Sequence, residues 1–119
     1  MQIEGLIAPG AGDVQTIEKL SRMMGESFME ENWTRATFDA LGENVSDERK
    51  LELSREIMRL EFTYGTPYPA CYATPDLAAC TGAYLKSDLN GVSWSDVEDE
   101  AHAQMARDSM TAEEATTYS

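Results

Sequence analysis

A chain of 119 residues is long enough to bury one core and too short for two. Its 22 Asp and Glu against 9 Lys and Arg leave a formal charge of -13, which disfavours direct contact with nucleic acid or an anionic membrane. An apolar fraction of 42%, with Phe28, Trp33, Phe38, Phe62, Tyr64 and Trp94 as large side chains, argues against wholesale disorder.

No apolar run approaches the ~20 residues that span a bilayer, and the opening MQIEGLIAPG lacks the basic and long apolar regions of a secretion signal. The expected location is therefore cytoplasmic. In that reducing compartment Cys71 and Cys80 are expected as thiols, and two cysteines with the single histidine His102 do not make a zinc site.

In chain order, residues 2–8 (QIEGLIA) suit a short first strand closed by Pro9-Gly10. Asp13 is a good N-cap for a helix whose apolar residues Val14, Ile17, Leu20, Met24 and Phe28 recur at spacings of three and four. A shorter helix, capped by Asn32 and stopped by Gly42, follows to Leu41. Ser46 or Asp47 opens a longer one in which Leu53, Ile57, Leu60 and Tyr64 form a stripe that Leu51, Met58 and Phe62 widen. Glu52 with Arg55 and Glu56 with Arg59 have the spacing of exposed ion pairs. Gly65 is expected as a left-handed cap and Pro67 as the stop.

Two short strands, 70–73 and 78–85, flank Thr74-Pro75-Asp76-Leu77 and predict a hairpin. A turn symmetric about Pro75 and Asp76 would put Cys71 opposite Cys80 and Tyr72 opposite Ala79. After the turn at Leu89-Asn90-Gly91, Ser95 with Glu98 matches a capping box, and Trp94, Val97, Ala101 and Met105 continue at helical spacing. Residues 111–119 are expected to fray as an acidic tail on a single domain of residues 1–110. The fold class is α+β: a short first strand, two to three helices, an antiparallel hairpin and a C-terminal helix.

That order of elements, the stretch Ser21 to Trp33, the helix RKLELSREIMRLEFTYG and the hairpin CYATPDLAACTGAYL resemble the N-terminal half of the GNAT superfamily of N-acetyltransferases. The resemblance covers roughly residues 3–87. It implies a truncated form of that fold, because the family's Arg/Gln-x-x-Gly-x-Gly/Ala loop, whose amides hold the pyrophosphate of acetyl-CoA, has no counterpart here. Gly91 is the last glycine, and from Asp88 to the end Asp88, Asp96, Glu98, Asp99, Glu100, Asp108, Glu113 and Glu114 stand against the single Arg107. No cofactor is therefore carried over.

No catalytic residue or metal ligand stands out. A nucleophilic cysteine would need a base, and His102 is the only imidazole. Asp96, Glu98, Asp99 and Glu100 lack the glycine and distal glutamate of an EF-hand loop and suit a helix N-terminus instead. What remains is charge. The expectation is a non-catalytic, acidic protein-binding module or inhibitor that docks on a basic protein surface, such as that of a nucleic-acid-binding protein. Asp96, Glu98, Asp99 and Glu100 would form one contact cluster, and Glu48, Glu52 and Glu56 a second row at helical spacing. In size and charge the chain is similar to small acidic proteins of phages and mobile elements, anti-CRISPR inhibitors among them. The alternative that the resemblance implies is the substrate-recognition half of an N-acetyltransferase completed by another chain. A homodimer is expected, through an uncovered sheet edge or through the helix from Ser95 to Met105.

Overall fold

The computed structural model describes residues 2–68 and 70–118; Met1, Pro69, Ser119 and the side chain of Trp33 lie outside the described part. The longest helix, Asp47–Gly65 (α3), organises the rest. The hydroxyl of Ser46 accepts the Arg49 N–H at 3.1 Å, and Asp47 and Glu48 sit in the first turn, where the helix dipole favours negative charge. Leu53, Ile57 and Leu60 are buried, as their spacing predicts.

Helix Val14–Phe28 (α1) packs along one side of α3. The contact is close because it is built from small groups. A Cβ placed on Gly25 would lie 2.7 Å from the Arg55 backbone, and the Ser54 hydroxyl donates to the Gly25 carbonyl at 2.8 Å. Helix Trp94–Asp108 (α4) lies against another side, burying Val97, Ala101 and Met105. The core joins Leu53, Ile57 and Leu60 to Met29, Phe38, Ala101 and Met105. Phe38 comes from the short helix Asn32–Asp39 (α2), and the last helix, Ala112–Tyr118 (α5), lays Tyr118 over the same cluster. Strands Cys71–Ala73 (β1) and Cys80–Gly82 (β2) form a two-stranded antiparallel sheet. The chain is thus α+β, with five helices and one hairpin among the described residues.

Several local expectations are corrected. The first strand is reduced to a single antiparallel bridge, in which Ile7 and Ala73 exchange two hydrogen bonds of 2.8 Å. Gly5, at φ 81°, breaks the extended run before it. In the hairpin, Cys71 opposes Gly82, Tyr72 opposes Thr81 and Ala73 opposes Cys80, two residues away from the expected register. The cause is the turn. Thr74 N–H bonds to the Ala79 carbonyl at 3.0 Å, so the loop has four residues rather than two, with Leu77 left-handed at φ 59°. The Thr74 hydroxyl supports that wider loop by accepting from the Ala78 and Ala79 amides, each at 3.2 Å. A shift of two keeps every side chain on its face, so the hairpin survives the change.

The caps also differ. Asp13 occupies the N-cap position but makes no capping bond, its carboxylate accepting the Gly10 N–H instead. Glu31, not Asn32, caps α2 by accepting the Thr34 N–H at 2.9 Å. Ser93 takes the N-cap position of α4, so the Ser95–Glu98 box does not form. Gly65 has no positive φ and ends α3 within the helix; its missing side chain makes room for the Trp94 ring, 2.8 Å from where a Cβ would stand. Glu52 pairs with Arg49 and Arg55 with Glu26, whereas the Glu56–Arg59 pair is as expected. Finally, the segment read as a frayed tail is helical from Ala112 to Tyr118.

Gly25→Ala tests the central contact. The added methyl improves helix propensity by up to ~1 kcal/mol but must push α1 off the α3 backbone, an overpacking cost of about 1–3 kcal/mol. A lowered urea midpoint with unchanged slope is expected. A midpoint at or above that of the wild type would refute the close approach.

Candidate functional site

The two acidic rows singled out by sequence differ in what surrounds them. On α3, Glu52 is 2.7 Å from the Arg49 guanidinium and Glu56 is 2.5 Å from that of Arg59, so both carboxylates already have counter-ions. Burial is outweighed by the Glu56 contact, which raises the pKa of Arg59 above its ordinary value. Glu48 is exposed and makes no ion pair among the described residues. Glu52 and Glu56 line a groove of about 440 Å³ between α1 and α3 that also takes in Arg22, Arg49, Arg55 and Arg59. This row is therefore a mixed-charge surface.

On α4 the balance is different. Asp96 and Asp99 are exposed and Glu98 half-buried, and none of the three has a Lys or Arg partner among the described residues. Glu100 is held by Arg107 at 3.1 Å. The structure thus keeps Asp96, Glu98, Asp99 and Glu100 together on the first turns of one helix, and leaves three of them without a cation.

Two further titratable groupings hold α5 in place. The Arg49 guanidinium donates to both Glu114 oxygens, at 3.2 and 3.0 Å, and to the Ser109 carbonyl at 2.5 Å. Glu114 also accepts the Thr111 N–H at 2.9 Å, while its own N–H bonds to the Thr111 hydroxyl at 3.1 Å, a reciprocal capping box. The Arg49 hydrogen bonds hold the Glu114 carboxyl down at about 2, against an ordinary 4.5. The second grouping joins three helices. Tyr118 of α5 is hydrogen-bonded to His102 Nδ1 of α4, and Nε2 of that ring faces Glu61 of α3 at 3.6 Å. The Tyr118 ring stacks between His102 and Phe38, with centroids 5.6 and 6.0 Å away. Burial first, then the negative charge of Glu98, pushes Glu61 up to about 7. Burial likewise lowers the pKa of His102 and raises that of Tyr118.

These residues carry signals in the sequence beyond the helical spacing of apolar positions. Glu61 follows Ile57 by four and falls on the apolar stripe of α3, so a carboxylate there had to face the interior. Thr111 and Glu114 match the same capping-box pattern as Ser95 and Glu98, and it is the former pair that forms it.

Glu61 also borders an apolar cavity of about 180 Å³ between α1, α3, the hairpin and the start of α4. Cys71 lines the same cavity. Its thiol is pushed up to about 12 by burial, aided by the neighbouring Cys80. Both cysteines are free. Among the described residues no group of three or more His, Cys, Asp or Glu is placed to hold a metal ion, and no helix is long and apolar enough to cross a membrane. Comparison of the chain with protein-family models, with curated proteins and with solved structures finds no match.

The two shifted carboxyls have opposite signs. Glu114 is depressed, so its stabilisation is present above pH 4.5 and lost as pH falls through about 2. Glu61 is raised, so its contribution is present below pH 4.5 and lost as pH rises through about 7. His102, held neutral, adds stability as pH rises toward 6.5 and so opposes Glu61 over part of that window. Thermal melts between pH 4.5 and 7 should fall more steeply with pH for wild type than for Glu61→Gln. Glu114→Gln should be destabilised at pH 6 (about 1–3 kcal/mol for a part-buried charge-assisted contact) and not at pH 2. Identical pH profiles for wild type and Glu61→Gln would show an ordinary carboxyl at Glu61.

Proposed function

We propose that the chain is a non-catalytic, acidic protein-binding module that docks the first turns of α4 on a basic protein surface, of the kind that otherwise holds nucleic acid. The observation that supports this reading is the uncompensated cluster of Asp96, Glu98 and Asp99, which stands out because Glu52 and Glu56 are neutralised by arginines. Three carboxylates on one short stretch of helix present a dense negative surface, and the net charge of -13 steers a basic partner toward it. The row on α3 is secondary, with Glu48 its free member. The similarity in size and charge to small acidic inhibitors of phages and mobile elements, anti-CRISPR proteins included, points to the same mode of action in the cytoplasm.

The reading is tested by affinity capture from the native host followed by binding of the purified partner. Asp96→Lys with Asp99→Lys should weaken binding at least tenfold (~1.4 kcal/mol) with the fold intact by circular dichroism. Wild-type affinity should also drop steeply with added salt, as exposed charges are screened over about 8 Å at physiological ionic strength. Unchanged affinity in the double variant overturns the docking site. Calorimetry that detects acetyl-CoA on the isolated chain, one site per protomer, overturns the non-catalytic reading in favour of half an N-acetyltransferase.

The same module is proposed as a homodimer through the outer edge of β2. The other edge of the sheet is bridged by Ile7, while Tyr84 and Leu85, just past β2, are 45% and 50% exposed. On α4 the face made by Val97, Ala101 and Met105 is buried within the protomer, which favours the sheet edge over the helix. A dimer in sedimentation equilibrium is expected, and it should revert to monomer on replacing Cys80, whose N–H points away from β1, by Pro. A monomer alone at high micromolar concentration rules the dimer out.

A further inference from the structure

The cavity beside Glu61 is lined by none of Asp96, Glu98, Asp99 and Glu100. It is walled by Met24 and Phe28 of α1, Met58 and Phe62 of α3, and Trp94 of α4, with Cys71 on the hairpin side. Its volume of about 180 Å³ compares with the ~150 Å³ of an apolar protein cavity that takes up benzene, so one aromatic ring with a short arm fits. Among the described residues that line it, Glu61 is the only Asp, Glu, Lys, Arg or His. The Cys71 thiol is neutral over the ordinary pH range, since burial pushes it up to about 12.

We propose that this cavity is a binding site for a small aromatic or branched aliphatic primary amine, the apolar part held among Met24, Phe28, Met58, Phe62 and Trp94 and the ammonium on the Glu61 carboxylate. The chemistry of the walls selects among ligands. An anion would meet the Glu61 carboxylate and, beyond it, the Glu98 charge. A purely apolar ligand would fill the volume but leave a part-buried carboxylate without a cation, because His102 at 3.6 Å is held neutral by its own burial. An ammonium supplies the missing positive charge where solvent screening is reduced, and the strongly negative chain attracts it. Binding does not require chemistry, and no bond to the ligand is formed or broken.

Two elements face Glu61 with three titratable groups: Glu98 and His102 from α4, and Tyr118 from α5 through His102. Of these, Glu98 makes ionised Glu61 less favourable, and a bound ammonium relieves that repulsion. Amine binding should therefore release a proton when the free carboxyl is still protonated, and should weaken as pH falls below about 7.

The probes are benzylamine, benzyl alcohol and toluene, titrated at millimolar concentrations into the ¹⁵N-labelled and methionine-methyl-labelled chain at pH 8. Benzylamine should shift the Trp94 indole and the Met24 and Met58 methyls, and bind at least tenfold (~1.4 kcal/mol) more tightly than the other two. In Glu61→Gln that preference should vanish while toluene binds at least as tightly as in the wild type, which shows an intact cavity. At pH 5 the preference should shrink in wild type and not change in the variant. Equal affinity for benzylamine and toluene in wild type, an undiminished benzylamine preference in Glu61→Gln, or no shift with any probe would each overturn the proposal.

Discussion

The fold depends on how closely α1 can approach α3. At Gly25 the two helices meet backbone to backbone, with the Ser54 hydroxyl bonded into the Gly25 carbonyl and Arg55 passing over the position where a side chain would stand. A larger residue there would separate the helices and open the cavity that Ile17, Met24 and Phe28 share with Met58 and Phe62. The hairpin and the start of α4 close the other side of that space. Trp94 reaches it only because Gly65, at the end of α3, has no side chain. Two glycines on facing helices thus set the spacing on which core, hairpin and cavity all rest.

Charge is distributed along α3 in the same economical way. Its cations act as tethers: Arg49 holds Glu114 of α5, Lys50 holds Asp39 of α2 at 3.0 Å, and Arg55 holds Glu26 of α1. The Lys50 hydrogen bond keeps the Asp39 carboxyl below its ordinary range, and the Glu114 contact raises Arg49 above its own. Exposed pairs of this kind contribute ~0–1 kcal/mol each, whereas the Glu114 site is largely removed from water and counts for more. Among the described residues the α3 cations meet α4 only at its C-terminal end, where Arg59 acts on Asp108 and Arg49 on the Ser109 carbonyl, and none is paired with Asp96, Glu98, Asp99 or Glu100. That helix has only Arg107, which Glu100 occupies, so most of its negative charge is left uncompensated. A chain with nine cations cannot neutralise twenty-two acids, and α4, with five acids and one arginine, carries a dense share of the surplus.

Periodicity made the helices and the core legible. Ile17, Leu20, Leu53, Ile57, Leu60, Val97, Ala101 and Met105 all recur at helical spacing and all are buried. Turn geometry was less so, because Thr74-Pro75-Asp76-Leu77 allows both a two-residue and a four-residue loop. The choice depends on Leu77 tolerating a left-handed conformation and on the Thr74 hydroxyl accepting two amides. Caps were misplaced wherever a neighbour competed for the same position, as Ser93 did with Ser95. The acidic residues of both rows could be named from sequence, but not which of them have counter-ions. Arg49 reaches across 65 positions to Glu114, and no spacing rule contains that distance.

The Glu61, His102 and Tyr118 grouping runs against the economy of the rest. Placing a carboxyl on the core-facing stripe of α3, within reach of the Glu98 charge, costs stability at neutral pH, and an apolar residue at that position would remove the cost. Sequences tend to retain such local conflicts where function needs them. The conflict here involves the same helix that carries the uncompensated cluster, since Glu98 is both a member of that cluster and the charge that disfavours ionised Glu61. A basic residue of a partner brought near Glu98 would lower that repulsion, and so would an ammonium in the cavity. With both proposed sites occupied, the two cations would bear on one carboxylate, the ammonium directly and the partner's charge through Glu98. Each therefore reduces the repulsion that the other would otherwise relieve, which makes their coupling weakly unfavourable rather than cooperative.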